Sequence, residues 1–152
     1  MKRTIFFTAA FPSFLGLMES RAQNMQNNRN MEKLKLTEEW DKTFPKSDKV
    51  DHSKVTFVNR FGITLAADLY VPKIAVADKF PAIAVSGPFG AVKEQSSGLY
   101  AQTLAERGFL TIAFDPSFTG ESSGQPRSVA SPDINTEDFS AAVDYLATRP
   151  DV

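Results

Sequence analysis

Two loops rich in glycine and serine hold the residues of this sequence that could do chemistry. Ser86-Gly87-Pro88-Phe89-Gly90 follows one apolar run, and a second loop from Asp115 to Gly124 follows another. A loop of small residues between a strand and a helix can direct free backbone N–H groups at an oxyanion or a phosphate. The same residues also suit a turn that binds nothing, because glycine and proline are common in turns.

The side chains near these loops do not form a complete catalytic set. Asp115 ends an apolar run, where an aspartate more often accepts backbone N–H groups than takes part in catalysis. Asp115 and Glu121 could pair as acid and base only if their loop folded back on itself. The single histidine, His52, lies in a polar segment before the first predicted strand, where we expect it to be solvated.

The composition also argues against bound cofactors and metals. With one histidine and no cysteine, the sequence does not support a metal site. The first loop matches neither glycine-rich phosphate motif, because Glu94 follows Lys93 and the glycines are misplaced. We therefore expect no cofactor and no metal in this chain.

A strand–helix–strand unit is predicted to position both loops. The apolar runs Phe80 to Val85 and Phe109 to Phe114 flank an amphipathic helix that ends at Gly108, a residue suited to a left-handed cap. One face of that helix holds Tyr100, Ala101, Leu104 and Ala105. Nearly continuous apolar strands are typical of parallel sheets covered on both faces, and the ligand sites of such sheets lie at the carboxyl ends of the strands. The fold class is therefore α/β, with function expected at the two loops.

A β-hairpin is predicted before this unit and a helix after it. Val55 to Asn59 and Ile63 to Val71 flank a turn at Gly62, and Pro72 ends the second arm. Alternation places one set of apolar residues on a single face of that arm: Ile63, Leu65, Ala67, Leu69 and Val71. The last helix is predicted to be capped by Asn135 and to carry an apolar stripe of four residues: Phe139, Ala142, Val143 and Leu146.

The chain divides into a leader, a linker and one domain. Residues 1–22 combine a basic start, an apolar run and a Ser20-x-Ala22 ending, which predicts a secretory signal peptide rather than a membrane span. Residues 23–50 are predicted to be a flexible linker, in which Leu36, Trp40 and Phe44 could form one stripe of a short helix behind Thr37. Residues 51–152 form the domain. A formal charge of -1 suggests neither nucleic acid nor an anionic membrane as a partner.

Three blocks of the sequence resemble the α/β-hydrolase superfamily, specifically bacterial hydrolases related to dienelactone hydrolases and X-Pro dipeptidyl-peptidases. The blocks are VTFVNRFGITLAADLYVP, then PAIAVSGPFGAVKEQSSGLYAQTLAERGFLTIAFDPSFTGESSG, then SPDINTEDFSAAVDYL. They occur in the family's order and cover roughly Phe44 to Val152.

The resemblance implies the N-terminal part of an α/β-hydrolase fold: a β-hairpin plus a parallel βαβ unit with flanking helices, in a sheet that is incomplete. It implies hydrolysis of an ester, amide or lactone by a Ser or Cys nucleophile, with a histidine and an acid. The oxyanion donor would be the backbone N–H of Phe89, with that of Gly90 as the alternative. In the family, a nucleophile elbow opens the helix after the next strand. No such elbow follows the last predicted helix here, so this chain has no triad of its own.

Two interpretations of function remain open. The chain could be the N-terminal part of a hydrolase whose catalytic residues lie elsewhere, acting on a small-molecule or peptide substrate. It could instead be a truncated, non-catalytic paralogue or a binding module without hydrolase activity. In the family's strand order the Phe109 strand lies beside the hairpin and the Phe80 strand beyond it, so Phe80 to Val85 would form an apolar edge prone to self-association.

The leader gives a direct test of export to the periplasm or the medium. Cleavage after Ala22 is expected to leave Gln23 as the first residue of the exported protein. N-terminal sequencing of the exported protein checks this expectation, and a protein that retains Met1 or Lys2 would contradict it.

Overall fold

The computed structural model describes residues 31–73 and 79–152, which form a four-stranded mixed sheet with a helix on each face. The predicted signal peptide and the first part of the predicted linker lie outside the described residues. The elements are β1 (Val50–Val58), β2 (Thr64–Pro72), β3 (Ala82–Val85), α1 (Ser96–Ala105), β4 (Leu110–Phe114) and α2 (Pro132–Ala147).

The strand order is β1-β2-β4-β3, which is the order predicted above. β2 pairs antiparallel with both β1 and β4, whereas β3 and β4 run parallel with Ala82 opposite Leu110. α1 makes the crossover between the two parallel strands, so the predicted βαβ unit is confirmed. The loops after Val85 and Phe114 consequently meet at one edge of the sheet.

Two apolar clusters cover the two faces of the sheet. The predicted face of β2 packs toward α2, and its cluster contains Phe57, Leu65, Ala67, Leu69, Leu110, Ile112, Phe114, Ala141, Ala142 and Leu146. The opposite cluster lies against α1 and contains Val50, Tyr70, Ala101, Ala105 and Ala113. Because each large aliphatic side chain buried from water contributes about 1.5–3 kcal/mol, these two layers supply most of the driving force for this arrangement.

The segment before β1 differs from its prediction. Residues 31–49 contain no helix, and β1 begins at Val50, ahead of the predicted first strand. Trp40 Nε1 donates to the carbonyl of Phe44 over 2.8 Å, and the N–H of Thr43 donates to the carbonyl of Glu94 over 3.0 Å. Pro45 disfavours helical geometry at Phe44. The carbonyl of Phe44 therefore accepts a side-chain donor, and the N–H of Thr43 bonds to Glu94, instead of pairing within a helix.

α2 begins one turn earlier than predicted. Ser131 is its N-cap residue and Pro132 its first residue, so the assignment of Asn135 as the cap is wrong. Asn135 lies inside the first turn, where its N–H donates to the carbonyl of Ser131 over 2.8 Å. Proline suits this position because the first helical N–H has no partner inside the helix.

A buried carboxylate sets the rotation of α2 about its axis. Asp138 is fully buried and accepts hydrogen bonds from Asn59 Nδ2 (2.8 Å), Ser117 N (2.8 Å) and Ser117 Oγ (2.7 Å). Ala142 and Leu146 of the predicted apolar stripe are buried.

The other half of the predicted stripe is exposed. Phe139 and Val143 keep 42% and 54% of their surface accessible, and in α1 Tyr100 keeps 67%. Tertiary contacts of Asp138, rather than the apolar pattern alone, orient α2. None of the described helices is long and apolar enough to cross a membrane.

Within the described residues, β3 pairs with a strand on one side only. On its other side, the N–H of Phe80 donates to the carbonyl of Asp151 over 2.8 Å, so this edge accepts a backbone partner at its start. Ala82 to Val85 carry no charge that would discourage pairing with another chain. We propose that the chain self-associates through this edge with a second copy of itself.

A charge on the edge tests this proposal. Ile83→Lys is expected to raise the monomer fraction at micromolar concentration while leaving circular dichroism unchanged, because edge lysines oppose strand pairing. Light scattering coupled to size exclusion measures the monomer fraction. Val143→Lys is the matched control, since it adds the same charge to an exposed position of α2. An equal gain from the control, or a monomeric unmodified chain, would contradict the proposal.

Candidate functional site

The loop Ser86–Gly90 leaves the carboxyl end of β3 and turns into the segment before α1. Its turn is closed by a hydrogen bond of 3.0 Å from the N–H of Ala91 to the carbonyl of Pro88. Phe89 is 78% exposed, and Gly90 has a positive φ of 82° that favours glycine. Among residues 31–73 and 79–152, no acceptor is hydrogen-bonded to the N–H of Phe89 or Gly90. Both predicted donors are therefore available to an anion.

A cleft of about 110 Å³ lies beside this loop. It is lined by Ser86, Gly87, Pro88, Phe89, Gly90, Phe114, Pro116, Thr119, Val129, Asn135 and Phe139. Phe114, Val129 and Phe139 give it an apolar wall. A larger open groove, of about 760 Å³, is formed by residues 33–38 with Lys46 and His52 to Lys54, and includes no residue of the loop.

The second loop folds back on itself around Asp115. The carboxylate of Asp115 is fully buried and accepts the N–H of Lys93 (2.8 Å), the N–H of Glu121 (2.9 Å) and the ammonium of Lys93 (2.8 Å). These partners confirm the structural role expected for Asp115. Asp115 and Glu121 do come together, but the ammonium of Lys93 lies 2.8 Å from each of them, so they do not form an acid–base pair.

Lys93 is the residue of this site that sequence reasoning missed. Its ammonium contacts Glu94, Asp115 and Glu121, and its side chain has no exposed surface. A lysine beside a glycine-rich loop gives no signal for this arrangement, because Asp115 and Glu121 lie more than 20 residues further along the chain.

The pKa values of this cluster follow from its ion pairs. Burial alone would lower the pKa of Lys93, but the charge of Asp115 and the hydrogen bonds to Asp115, Glu121 and Glu94 together outweigh burial and raise this pKa above its usual value. Burial alone would raise the pKa of Glu121, yet hydrogen bonds from Lys54 and Lys93 lower it to about 2. Lys93 and Glu121 consequently stay charged at neutral pH and are poor proton donors or acceptors there.

The second loop also contains the G-x-S-x-G spacing of a nucleophile elbow, in the segment Gly120-Glu121-Ser122-Ser123-Gly124. This match was not recognised from the sequence. Ser122 is 2% exposed, and its Oγ donates to the carbonyl of Asp115 (2.7 Å) while accepting the N–H of Ala66 (2.8 Å). Ser123 Oγ accepts the N–H of Thr64 over 2.9 Å. Neither serine opens a helix, and both hydroxyls serve to hold the loop against β2.

His52 lies within β1 and is not solvated as expected. Its Nε2 is 2.8 Å from the buried carboxylate of Asp68, and the rings of Trp40 and Tyr70 pack around it with centroids 5.1 Å away. Lys42 Nζ lies 3.0 Å from the other oxygen of Asp68. Among the described residues no serine hydroxyl bonds to the imidazole. β1 is also at the far side of the sheet from β3, so His52 is remote from the loop.

Removing the Glu121 carboxylate tests the ion cluster. Glu121→Gln is expected to lower the free energy of unfolding by about 2 kcal/mol at pH 7, the usual worth of hydrogen bonds to charged groups. Because the folded-state pKa is depressed, this contribution is present above the ordinary glutamate pKa and is lost as the pH falls toward about 2. The difference between variant and parent should therefore shrink over that window.

Urea unfolding at a series of pH values measures this difference. Glu106→Gln is the matched control, because Glu106 is exposed and forms no ion pair within the described part of the chain. An equal loss of stability in both variants, or a difference that does not depend on pH, would contradict the assignment.

Comparison with known proteins adds relatives that share this architecture. PA2218, an uncharacterized Pseudomonas aeruginosa protein, is 63% identical over 99% of this chain and 41% of its own length. Its crystal structure matches with a TM-score of 0.78 and 74% identity over 80% of this chain and 38% of that chain. The thiohydrolase aneE of Aspergillus aculeatus is 32% identical over 66% of this chain and 30% of its own length.

A second solved structure, the α/β hydrolase GrgF from a Penicillium species, matches with a TM-score of 0.60 and 26% identity over 66% of this chain and 33% of that chain. The chain thus spans about two-fifths or less of the length of these relatives. Residues 62–152 match the family of X-Pro dipeptidyl-peptidases (S15 family), which is more than half of the sequence. The α/β fold, the strand order and this match together show that the chain belongs to the X-Pro dipeptidyl-peptidase (S15) family, within the α/β hydrolases.

Proposed function

We propose that this chain supplies the oxyanion-binding, N-terminal part of a hydrolase that cleaves an ester, amide or lactone. The observation that carries this proposal is the pair of unbonded N–H groups of Phe89 and Gly90 at the carboxyl end of β3. The N–H of Phe89 is the principal donor and that of Gly90 the alternative. The nucleophile, a serine or a cysteine, lies outside these 152 residues.

The chemistry of the loop fits this role. Attack on a carbonyl carbon places negative charge on the carbonyl oxygen, and fixed N–H donors stabilise that charge without having to reorganise. Removing one such donor typically lowers kcat by about 100-fold to 1,000-fold. The apolar wall of Phe114, Val129 and Phe139 suits an apolar group next to the scissile carbonyl.

The relatives support the same class of reaction. One is named as a thiohydrolase and another as an α/β hydrolase, and both match the part of the chain that carries the loop. The serines of the second loop support a nucleophile elsewhere, because the hydroxyls of Ser122 and Ser123 are buried and hydrogen-bonded.

The second candidate is a truncated, non-catalytic paralogue or a binding module. It is favoured by the lining of the cleft, where the described residues include no histidine and no charged side chain. Reading the DNA that follows this sequence separates the two, since a G-x-[SC]-x-G elbow downstream supports the hydrolase.

A chimera provides the functional test. Residues 31–152 replace the matching segment of PA2218, whose 63% identity favours correct packing. The chimera and its parent are expected to hydrolyse p-nitrophenyl esters, whereas the isolated chain should give no turnover above background, because oxyanion donors alone accelerate little. A parent and a chimera that hydrolyse no ester, thioester, lactone or peptide would contradict the proposal, as would ester turnover by the isolated chain.

Within the chimera, Phe89→Pro removes the principal donor. It is expected to lower kcat by about 100-fold or more, because proline has no N–H. Phe89→Ala is the matched control: it removes the ring, keeps the N–H and should stay within about threefold of the unmodified chimera in kcat. Equal losses in the two variants would show that the ring, and not the N–H, matters.

A further inference from the structure

We propose that Lys93 is a positioning residue that fixes the oxyanion loop through its paired bonds to Asp115. This inference rests on the proposed function, because it assigns Lys93 a role in holding the N–H groups of Phe89 and Gly90. Lys93 itself touches no substrate, since its side chain is fully buried.

The first step of the argument is the double attachment of one residue to one carboxylate. The N–H of Lys93 donates to Asp115 Oδ1 over 2.8 Å, and its Nζ donates to Asp115 Oδ2 over 2.8 Å. Two bonds from the backbone and from the side-chain end fix both the place and the orientation of this peptide unit. Asp115, which directly follows β4, is in turn held by β2, because its N–H donates to the carbonyl of Ala66 over 3.0 Å.

The second step is the short path from this clamp to the donors. Gly90 is three residues before Lys93, and the turn from Pro88 to Ala91 ends two residues before it. The tip of the loop has few attachments of its own, since Phe89 is 78% exposed and its N–H is unbonded among the described residues. The position of both donors therefore depends on where Lys93 is held.

The third step is the close packing behind Lys93. A Cβ added to Gly98 of α1 would come within 2.2 Å of the carbonyl oxygen of Lys93, so only glycine allows this approach. The ammonium is matched by three carboxylates, those of Glu94, Asp115 and Glu121, which equals its number of N–H donors. The backbone N–H and the ammonium of Lys93 thus both have hydrogen-bond partners, and these bonds fix the position of the residue.

A double-mutant cycle in the PA2218 chimera tests this role. Lys93→Met keeps the chain length and removes the charge, and is expected to lower kcat at least about tenfold with little change in KM, since small misplacements of catalytic groups reduce rate strongly. In the Phe89→Pro background, where the principal donor is already lost, the same change should cost less than about twofold. A merely structural role would give the same factor in both backgrounds, and that result would overturn the proposal.

Amide hydrogen exchange of the same chimera provides a readout that does not need activity. Within residues 86–91, Lys93→Met is expected to speed exchange of the hydrogen-bonded amide of Ala91 at least about tenfold, because local opening becomes easier. Lys54→Met is the control: Lys54 binds the same Glu121 from β1 but does not touch the loop, so exchange in residues 86–91 should stay unchanged. Unchanged exchange in Lys93→Met, or equal acceleration in the control, would overturn the proposal.

A second variant covers the case in which Lys93→Met does not fold. Asp115→Asn keeps an oxygen that can accept the N–H of Lys93, but its amide NH2 no longer accepts the Lys93 ammonium or the N–H of Glu121, so it should shift kcat and loop exchange in the same direction. Wild-type exchange in a folded Asp115→Asn chimera would contradict the clamp. If parent and chimera hydrolyse nothing, the proposed function fails, while the exchange measurements still decide whether Lys93 holds the loop.

Discussion

The buried ion pair between Lys93 and Asp115 is the interaction on which the carboxyl edge of this sheet depends. Both side chains are fully buried, and burying a single ion costs several kcal/mol unless partners compensate it. Here Glu94 and Glu121 add further attraction, and backbone N–H groups of Lys93 and Glu121 complete the shell of Asp115. Loss of one partner of such a pair typically costs about 3–5 kcal/mol, so the two loops are coupled energetically.

The sheet order explains why this pair can form. β3 and β4 are parallel neighbours, so the segment after β3 that carries Lys93 and the loop that begins at Asp115 leave the sheet at the same edge. A second buried carboxylate, Asp138, ties this edge to the hairpin turn through Asn59 and to the second loop through Ser117. Two carboxylates, one on each side of the β4 terminus, thus fix a region that has few apolar contacts of its own.

Local patterns in the sequence predicted the strands and turns of the sheet but not these polar contacts. The alternation from Ile63 to Val71 was informative because β2 is central and its pattern is set by neighbours along the same strand. Gly62 and Gly108 were recognised since positive φ is a local property, and both have it. Lys93 with Asp115 and His52 with Asp68 could not be found this way, because each pair joins residues far apart in sequence. For the same reason the apolar stripe did not show that Ala142 and Leu146 would be buried while Phe139 stays 42% exposed beside the hydrogen-bonded Asp138.

Some polar groups at this edge are hydrogen-bonded within the folded chain, and others have no partner among the described residues. Asp115, Glu121 and Lys93 satisfy one another, and the hydroxyls of Ser122 and Ser123 hold backbone groups of β2. Within the described residues, the N–H groups of Phe89 and Gly90 have no hydrogen-bond partner. Groups that are saturated in the folded state cannot transfer protons or attack a carbonyl without breaking the structure. The buried ion cluster therefore has a structural role, and the N–H groups of the first loop are among the polar groups at this edge that the fold leaves unpaired.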